Sequence, residues 1–215
     1  MTPRTDVWAL VEQMGSRVTE ALRNALTALA QGDVPAAEAV VAADAEIDRL
    51  EEKIEHTCLQ QLGRERHRGA DEREVRSIAA AFKVVTDLER IGDHAAALAR
   101  TTMRMRGERP IRPFLDIERL AALTEALLDG AMRALMAGDA AAAREVAARD
   151  DGVDALYDQI FRELVTYMLD DRTAVRAATH LLFVASALER VGDHATNLCE
   201  WVLFMETGRR VELND

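Results

Sequence analysis

Four pairs of carboxylates recur at i,i+4 spacing in this 215-residue chain: Asp44/Asp48, Glu89/Asp93, Asp150/Asp154 and Glu189/Asp193. On a helix that spacing puts both acids of a pair on one face, about one turn apart. Two of the pairs lie inside an octapeptide that occurs twice, LERIGDHA at 88–95 and LERVGDHA at 188–195. Carboxylates gathered at one level repel each other unless they are protonated, separated by water or neutralised by a cation. A multivalent metal is the economical solution. All-oxygen ligation suits hard ions such as Mg²⁺, Ca²⁺ or Mn²⁺, and iron in a carboxylate-bridged cluster, whereas zinc more often recruits His or Cys. The expected cofactor is therefore a divalent or multinuclear metal, with Fe, Zn, Mg and Mn as the candidates. The bland alternative is that these acids decorate solvated faces and pair with Arg49, Arg90, Arg149 or Arg190. Recurrence at matching places in two repeats, while Asp87/Ala187 and Lys83/Phe183 drift, weighs against it.

The neighbours of the acids are less suited to direct ligation. His94 and His194 sit about 140° around the helix from Glu89 and Glu189, so they are expected behind the ligands rather than on the metal. Asn197, eight residues after Glu189, shares that face and could add an oxygen, but its counterpart is Ala97. Gly92 and Gly192 each cost roughly 1 kcal/mol relative to Ala inside a helix, and close helix approach beside the acids is the expected benefit. The repeated Arg76 and Arg176 read as structural bridges. The methionines (Met103, Met105, Met132, Met136, Met168, Met205), with Trp8 and Trp201, read as core filling near helix ends.

The elements that must carry these residues are helices. Hydrophobic residues make up 49% and aromatics 4%, with long Ala/Leu/Val/Arg/Glu stretches and only four prolines, Pro3, Pro35, Pro110 and Pro113; the composition is all-α. Breaks at Gln31-Gly32-Asp33, Gly63 to Asp71, Gly107 to Pro113, Ala137-Gly138-Asp139 and Asp170-Asp171-Arg172 delimit six helices at 4–31, 36–66, 72–106, 114–137, 140–169 and 173–206. The halves, 1–108 and 109–215, form two tandem three-helix bundles whose neighbours run antiparallel and share a continuous core. A shift of 106 aligns Gly32–Ile54 with Gly138–Ile160, and a shift of 100 aligns Asp71–Leu98 with Asp171–Leu198, so six residues are lost from one turn. Asp48 lies 15 residues before Gly63 and Glu89 lies 18 after Asp71, which brings the two pairs of a half to similar heights on one hairpin.

The net charge of −11 argues against nucleic acid or anionic lipid as the main partner. The short basic stretch Arg64, Arg66, His67, Arg68 is interrupted by Glu65 and lacks aromatics, so it reads as a solvated helix end. Cys58 and Cys199 are far apart, lack CxxC spacing and sit in apolar helical phases, as buried reduced thiols do. No apolar run approaches the roughly 20 residues that span a bilayer, and Met1-Thr2-Pro3-Arg4 lacks a signal-peptide core. A cytoplasmic protein is expected.

At its octapeptides and acid pairs, Asp44-xxx-Asp48, Glu89-Arg-Ile-Gly-Asp93, Asp150-xxx-Asp154 and Glu189-Arg-Val-Gly-Asp193, the chain resembles the PhoU family of phosphate-uptake regulators, over nearly its whole length. The resemblance implies two three-helix bundles, multinuclear metal clusters on the motif surface and frequent homodimers. It also implies a negative regulator that links a phosphate ABC transporter, through its ATPase subunit, to a membrane-bound sensor histidine kinase of the phosphate regulon. Contact with the membrane would then be only through partners. Ala187 in place of Asp87, and Ala97 in place of Asn197, put equal occupancy of the two metal sites in doubt.

No nucleotide-binding Gly-rich loop, nucleophile with a paired base or DNA-reading module is present, and a non-enzymatic regulator is expected. A carboxylate-bridged di-metal enzyme would use Glu-x-x-His at i,i+3, whereas here the His comes five residues after the Glu. A metal-free helical adaptor, or an accessory protein of a different phosphate transporter, are the remaining alternatives.

Overall fold

The breaks in the sequence become the corners of the molecule. Gly32 and Gly138 end their helices in the left-handed conformation, at φ +63° and +65°, where glycine has no Cβ to clash. The aspartates that follow cap the next helices. Asp33 Oδ1 accepts from the Ala36 N–H at 3.0 Å, and Asp139 Oδ1 accepts from the Ala141 and Ala142 N–H groups at the same distance. Asp71 caps the third helix through the Arg73 N–H.

The computed structural model describes residues 6–68, 71–107 and 114–213. Its helices are α1 (Asp6–Gln31), α2 (Val34–Arg68), α3 (Glu72–Arg104), α4 (Phe114–Ala137), α5 (Ala140–Ala147), α6 (Asp150–Asp170) and, after a 3₁₀ turn at Arg172–Ala174, α7 (Val175–Thr207). The third break, at 108–113, and the side chains of Arg66, His67 and Arg68 lie outside the described residues, as do Met1–Arg4. The expected all-α, two-triplet architecture is found, with one correction. The helix expected unbroken over 140–169 is kinked at Ala148-Arg149, where i→i+3 bonds (Arg149 N–H to Val146 O at 3.0 Å, Gly152 N–H to Arg149 O at 3.1 Å) replace the α-helical ladder. The kink starts a new helix at Asp150, whose carboxylate turns inward and is 4% exposed.

α1, α2 and α3 pack on one another, and α4 to α7 do likewise. α3 and α7 are the central helices. Buried positions on α3 form two adjoining stripes about 80° apart, Ile78/Ala81/Val85/Leu88/Ala95/Ala99 and Val84/Ile91/Leu98, one broad buried arc of the kind a helix with several packed neighbours shows. α3 packs against α1, α2 and α7. The Arg76 guanidinium packs against Gly208, Asp87 meets Asn197, and Arg104 and His180 line one cavity, so α3 and α7 run antiparallel. α1 and α4 close the second seam, with Met132 against Gly15 and Arg23 paired to Asp129 at 2.6 Å. The buried side chains of both triplets form one continuous core, as expected. Cys58 and Cys199 are free and buried, and burial pushes their thiols up to about 11 and about 12. Met103, Met105, Met132, Met168 and Met205 pack against the core, but the tryptophans do more than fill it. Trp8 Nε1 donates to Ser77 Oγ at 2.8 Å, tying α1 to α3.

Candidate metal-binding faces and the seam between the repeats

The second repeat gathers its acids most closely. Asp154 from α6 and Glu189 and Asp193 from α7 bring one oxygen each to within 4.8 Å of one another, close enough for one cation to touch all three. Asp150 lies one turn nearer the N-terminus of α6. Its Oδ2 accepts from Thr196 Oγ at 2.8 Å, while Oδ1 is buried with no hydrogen-bond partner. Burial, more than the Thr196 bond can offset and with help from Asp154 and Asp193, raises its carboxyl to about 6. Burial also raises Asp154, Glu189 and Asp193, the first two with a further push from neighbouring acids, while His194 and Arg190 oppose the rise at Asp193. Among the described residues, no Lys or Arg pairs with any of the four. The kink before α6 and the glycine in α7 make this approach possible. A Cβ on Gly192 would stand 2.8 Å from Asp150 Oδ1 and 3.3 Å from Val153 Cγ1.

The first repeat assembles the equivalent acids, Asp44, Asp48, Glu89 and Asp93, but holds them against arginines. Arg100 reaches Asp44 at 3.6 Å, and Arg90 reaches Asp93 at 3.2 Å and Glu89 at 3.4 Å. Burial still raises Asp44 and Glu89, with Asp48 and Asp93 adding to the first and Asp93 to the second. Sequence reasoning missed a fifth acid. Glu51, on α2 seven residues after Asp44 and so on nearly the same face, is raised to about 7 by burial and by Glu89, Glu55 and Asp48. The i+7 spacing was the available signal; its counterpart, Tyr157, hid it by breaking the repeat. Gly92 gives close approach here as well, since a Cβ would stand 3.0 Å from Ile47 Cδ1 and 3.7 Å from Asp44 Oδ1.

The residues expected behind the ligands lie elsewhere. His194, Asn197 and Trp201, along one face of α7, converge on Asp87 of α3. His194 Nδ1 and Asp87 Oδ1 are 2.9 Å apart, Asn197 Nδ2 donates to the same oxygen at 3.1 Å, and Trp201 Nε1 donates to Oδ2 at 2.9 Å. A carboxylate can only accept from Asn197, so its amide nitrogen faces Asp87. His94 stacks near His194, ring centroids 5.9 Å apart. Burial first, then His194 and Arg190, push His94 down to about 4, which keeps it neutral at the centre of the seam. Both histidines thus serve the joint between repeats. Asp87, set aside in the sequence as drift, is the hub. Ala187, Ala97 and Thr101 occupy the pseudo-symmetric positions, so the network is built once, and the asymmetry that raised doubt about metal occupancy belongs to the seam.

Comparison with known proteins agrees with this architecture. The PhoU domain model matches the chain twice, over residues 11–102 and 117–202. A phosphate-specific transport system accessory protein PhoU homolog of Clostridium acetobutylicum is 34% identical over 203 residues, covering 94% of this chain and 92% of the relative. The homolog of the same description from Caulobacter vibrioides is 36% identical over 204 residues, covering 94% and 87%. The crystal structure of PhoU from Pseudomonas aeruginosa superposes with a TM-score of 0.90 at 33% identity over 95% of this chain and 97% of that one. That of the phosphate transport system regulatory protein PhoU from Streptococcus pneumoniae gives 0.89 at 26% identity, with 96% of both chains covered. With both repeats matched and their fold and acid pairs in register, this chain belongs to the PhoU family.

Proposed function

We propose that this protein is a regulatory accessory protein of a phosphate transport system, acting without catalysis of its own and using its carboxylate faces to hold metal ions. Family membership supports the phosphate role, because its relatives are named as phosphate-specific transport accessory proteins. The finer reading is a cytoplasmic negative regulator that connects the ATPase subunit of a phosphate ABC transporter to the sensor histidine kinase of the phosphate regulon, and works as a homodimer. No helix among the described residues is long and apolar enough to cross a membrane, which fits contact with the membrane through partners alone.

The observation that carries the metal reading is the second-repeat cluster. Three carboxylate oxygens within 4.8 Å, beside a buried Asp150 oxygen that no protein donor reaches, make an arrangement of like charges that no Lys or Arg among the described residues pairs with directly, Arg190 offsetting it only at a distance. A bound cation would relieve that repulsion and take the unshared lone pair that Asp150 Oδ1 offers. Asp150, Asp154, Glu189 and Asp193 would hold it in the second repeat, and Asp44, Asp48, Glu89 and Asp93 in the first, where arginines already offset part of the charge. The donors are all oxygens, which favours Mg, Mn or Fe over Zn.

Two experiments test the two parts separately. Metal analysis of the purified protein before and after dialysis against a chelator should find bound metal that the chelator removes, with a lower melting temperature afterwards; no metal and an unchanged melting temperature refute the metal part. Affinity purification from phosphate-replete and phosphate-starved cells should enrich a transporter ATPase and a histidine kinase with the wild type, and less of both with Glu89→Ala/Asp93→Ala. Absence of both partners refutes the regulatory part.

A further inference from the structure

The two repeats differ sharply on one outward face. On α6, Phe161 is 45% exposed, Val165 36% and Leu169 80%, at i, i+4, i+8 spacing, and Phe183 on α7 is 60% exposed at a similar distance from the α6–α7 turn. Tyr157 continues the stripe, its ring 6.4 Å from that of Phe161. The matching positions of the first repeat are Glu51, Glu55, Leu59, Gly63 and, for Phe183, Lys83. The same helical hairpin therefore folds with charges at these places, so packing does not require the aromatics. Exposed aromatic and aliphatic side chains in a row mark a contact surface.

The charge around the stripe selects its occupant. α6 carries Asp150, Asp151, Asp154, Asp158, Glu163 and Asp170 against a single arginine, Arg162. Asp154 and Asp158 share the stripe's face, at about 20° and 60° around the helix from Phe161, and the Asp158 side chain is 69% exposed. A second copy of this chain would set these acids against their own kind, in a molecule whose net charge is −11. Anionic lipid and nucleic acid are repelled for the same reason. We infer that the α6–α7 face of the second repeat docks a basic amphipathic helix of a partner protein, aliphatic side chains on Phe161, Val165, Leu169 and Phe183, and lysines or arginines on the flanking acids. This goes beyond the metal reading and does not depend on it, because Asp151 and Asp158, at about 80° and 60° around α6 from Phe161, lie outside the proposed ligand set.

The test uses a fluorescein-labelled Leu/Lys amphipathic peptide of about five helical turns and its Leu/Glu counterpart, titrated with the full chain and read by fluorescence anisotropy. The Leu/Lys peptide should bind, more weakly as salt is raised, and the Leu/Glu peptide should not. Phe161→Ser/Phe183→Ser should weaken binding about tenfold or more, while Leu59→Ser, at the equivalent stripe of the first repeat, should leave it unchanged. Both changes are at exposed positions, and circular dichroism melts verify that each variant folds. Three results overturn the proposal: equal binding of both peptides, equal loss in the Leu59→Ser protein, or affinity of the double variant within about twofold of wild type. So does a wild-type dimer in sedimentation that the double variant converts to monomer, since the occupant is then a second copy.

Discussion

Replacing Asp87 with alanine removes the one acceptor on which three donors from α7 converge. The Asp87 side chain is 13% exposed and that of His194 21%, so water can reach the vacated site only in part. Each hydrogen bond lost to a charged, half-buried acceptor is worth about 1 kcal/mol net after that partial rehydration, so the three total about 3 kcal/mol. Alanine returns roughly 0.5 kcal/mol through its better helix propensity. The net loss is about 2.5 kcal/mol, which for a chain of this size lowers the melting temperature by about 5–10 °C. Calorimetry of the chelator-treated protein measures it without interference from metal binding. Double-mutant cycles with Asn197→Ala and with Trp201→Phe should give positive coupling, because each second change removes a donor that Asp87→Ala has already stranded. Conversely, Ala187→Asp should not stabilise, as Ala97 and Thr101 offer no matching Asn or Trp. A drop of less than about 2 °C for Asp87→Ala, or additive effects throughout, would show that the network does not hold the repeats together.

The remaining expectations concern the acids. Every clearly shifted carboxyl in the two clusters is raised in the folded protein, to about 6 at Asp150 and about 7 at Glu51, so between about pH 4 and 7 the native state binds more protons than the unfolded one and stability falls as pH rises. His94, lowered to about 4, works in the opposite sense but is a single group. Thermal melts of the chelator-treated protein should therefore be higher at about pH 5.5 than at about pH 8, with the slope reduced by added Mn²⁺ or Mg²⁺; melts that rise with pH refute the assignment. Asp93→Ala and Asp193→Ala should each lower metal content without unfolding the protein, since a like charge is removed from a repelling group; severe unfolding of both would contradict this. Gly192→Ala forces its Cβ onto Asp150 Oδ1 and should weaken metal binding about tenfold, whereas Gly92→Ala, which meets the flexible end of Ile47, should do so less; titration calorimetry reads both.

Much of this was legible in the residues. Glycine and aspartate at each corner specify where helices stop and start, and the repeated octapeptide fixes which positions correspond, so the triplets and their acid pairs follow from spacing alone. Register along the hairpin was enough to bring Asp44/Asp48 to Glu89/Asp93. The kink at Ala148-Arg149 was harder to read because the apolar period continues through it. The signals for it, Asp150-Asp151 as first-turn acids and Gly152 behind them, are local and compete with a longer pattern. The seam was illegible for a different reason. Its hub and its donors lie more than a hundred residues apart, on the faces of two helices whose mutual orientation no single helix encodes. In sequence alone the Asp87/Ala187 difference is indistinguishable from drift, and nothing local marks Asp87 as the hub.

Two sets of those differences are spatially separate, and they show how a duplicated bundle becomes a single working unit. Two identical triplets packed through their central helices would give a seam with two equivalent networks and two equivalent outer faces. Here one set, Asp87/Ala187, Ala97/Asn197 and Thr101/Trp201, concentrates the seam's polar contacts into one network on one side of the α3–α7 crossing. The other set, Glu51/Tyr157, Glu55/Phe161 and Lys83/Phe183, leaves the first repeat's outer face charged and makes the second's apolar. The acids at the common positions are retained in both. Divergence in these two sets surrounds the carboxylate clusters without removing their acids, and the two faces present the same acid pairs in different settings: arginine-paired in the first repeat, and in the second bordered by aromatics with no Lys or Arg pair among the described residues. A partner that reads the second face by its aromatics would approach the more repulsive of the two clusters, the one whose charge depends most on whether a cation is bound.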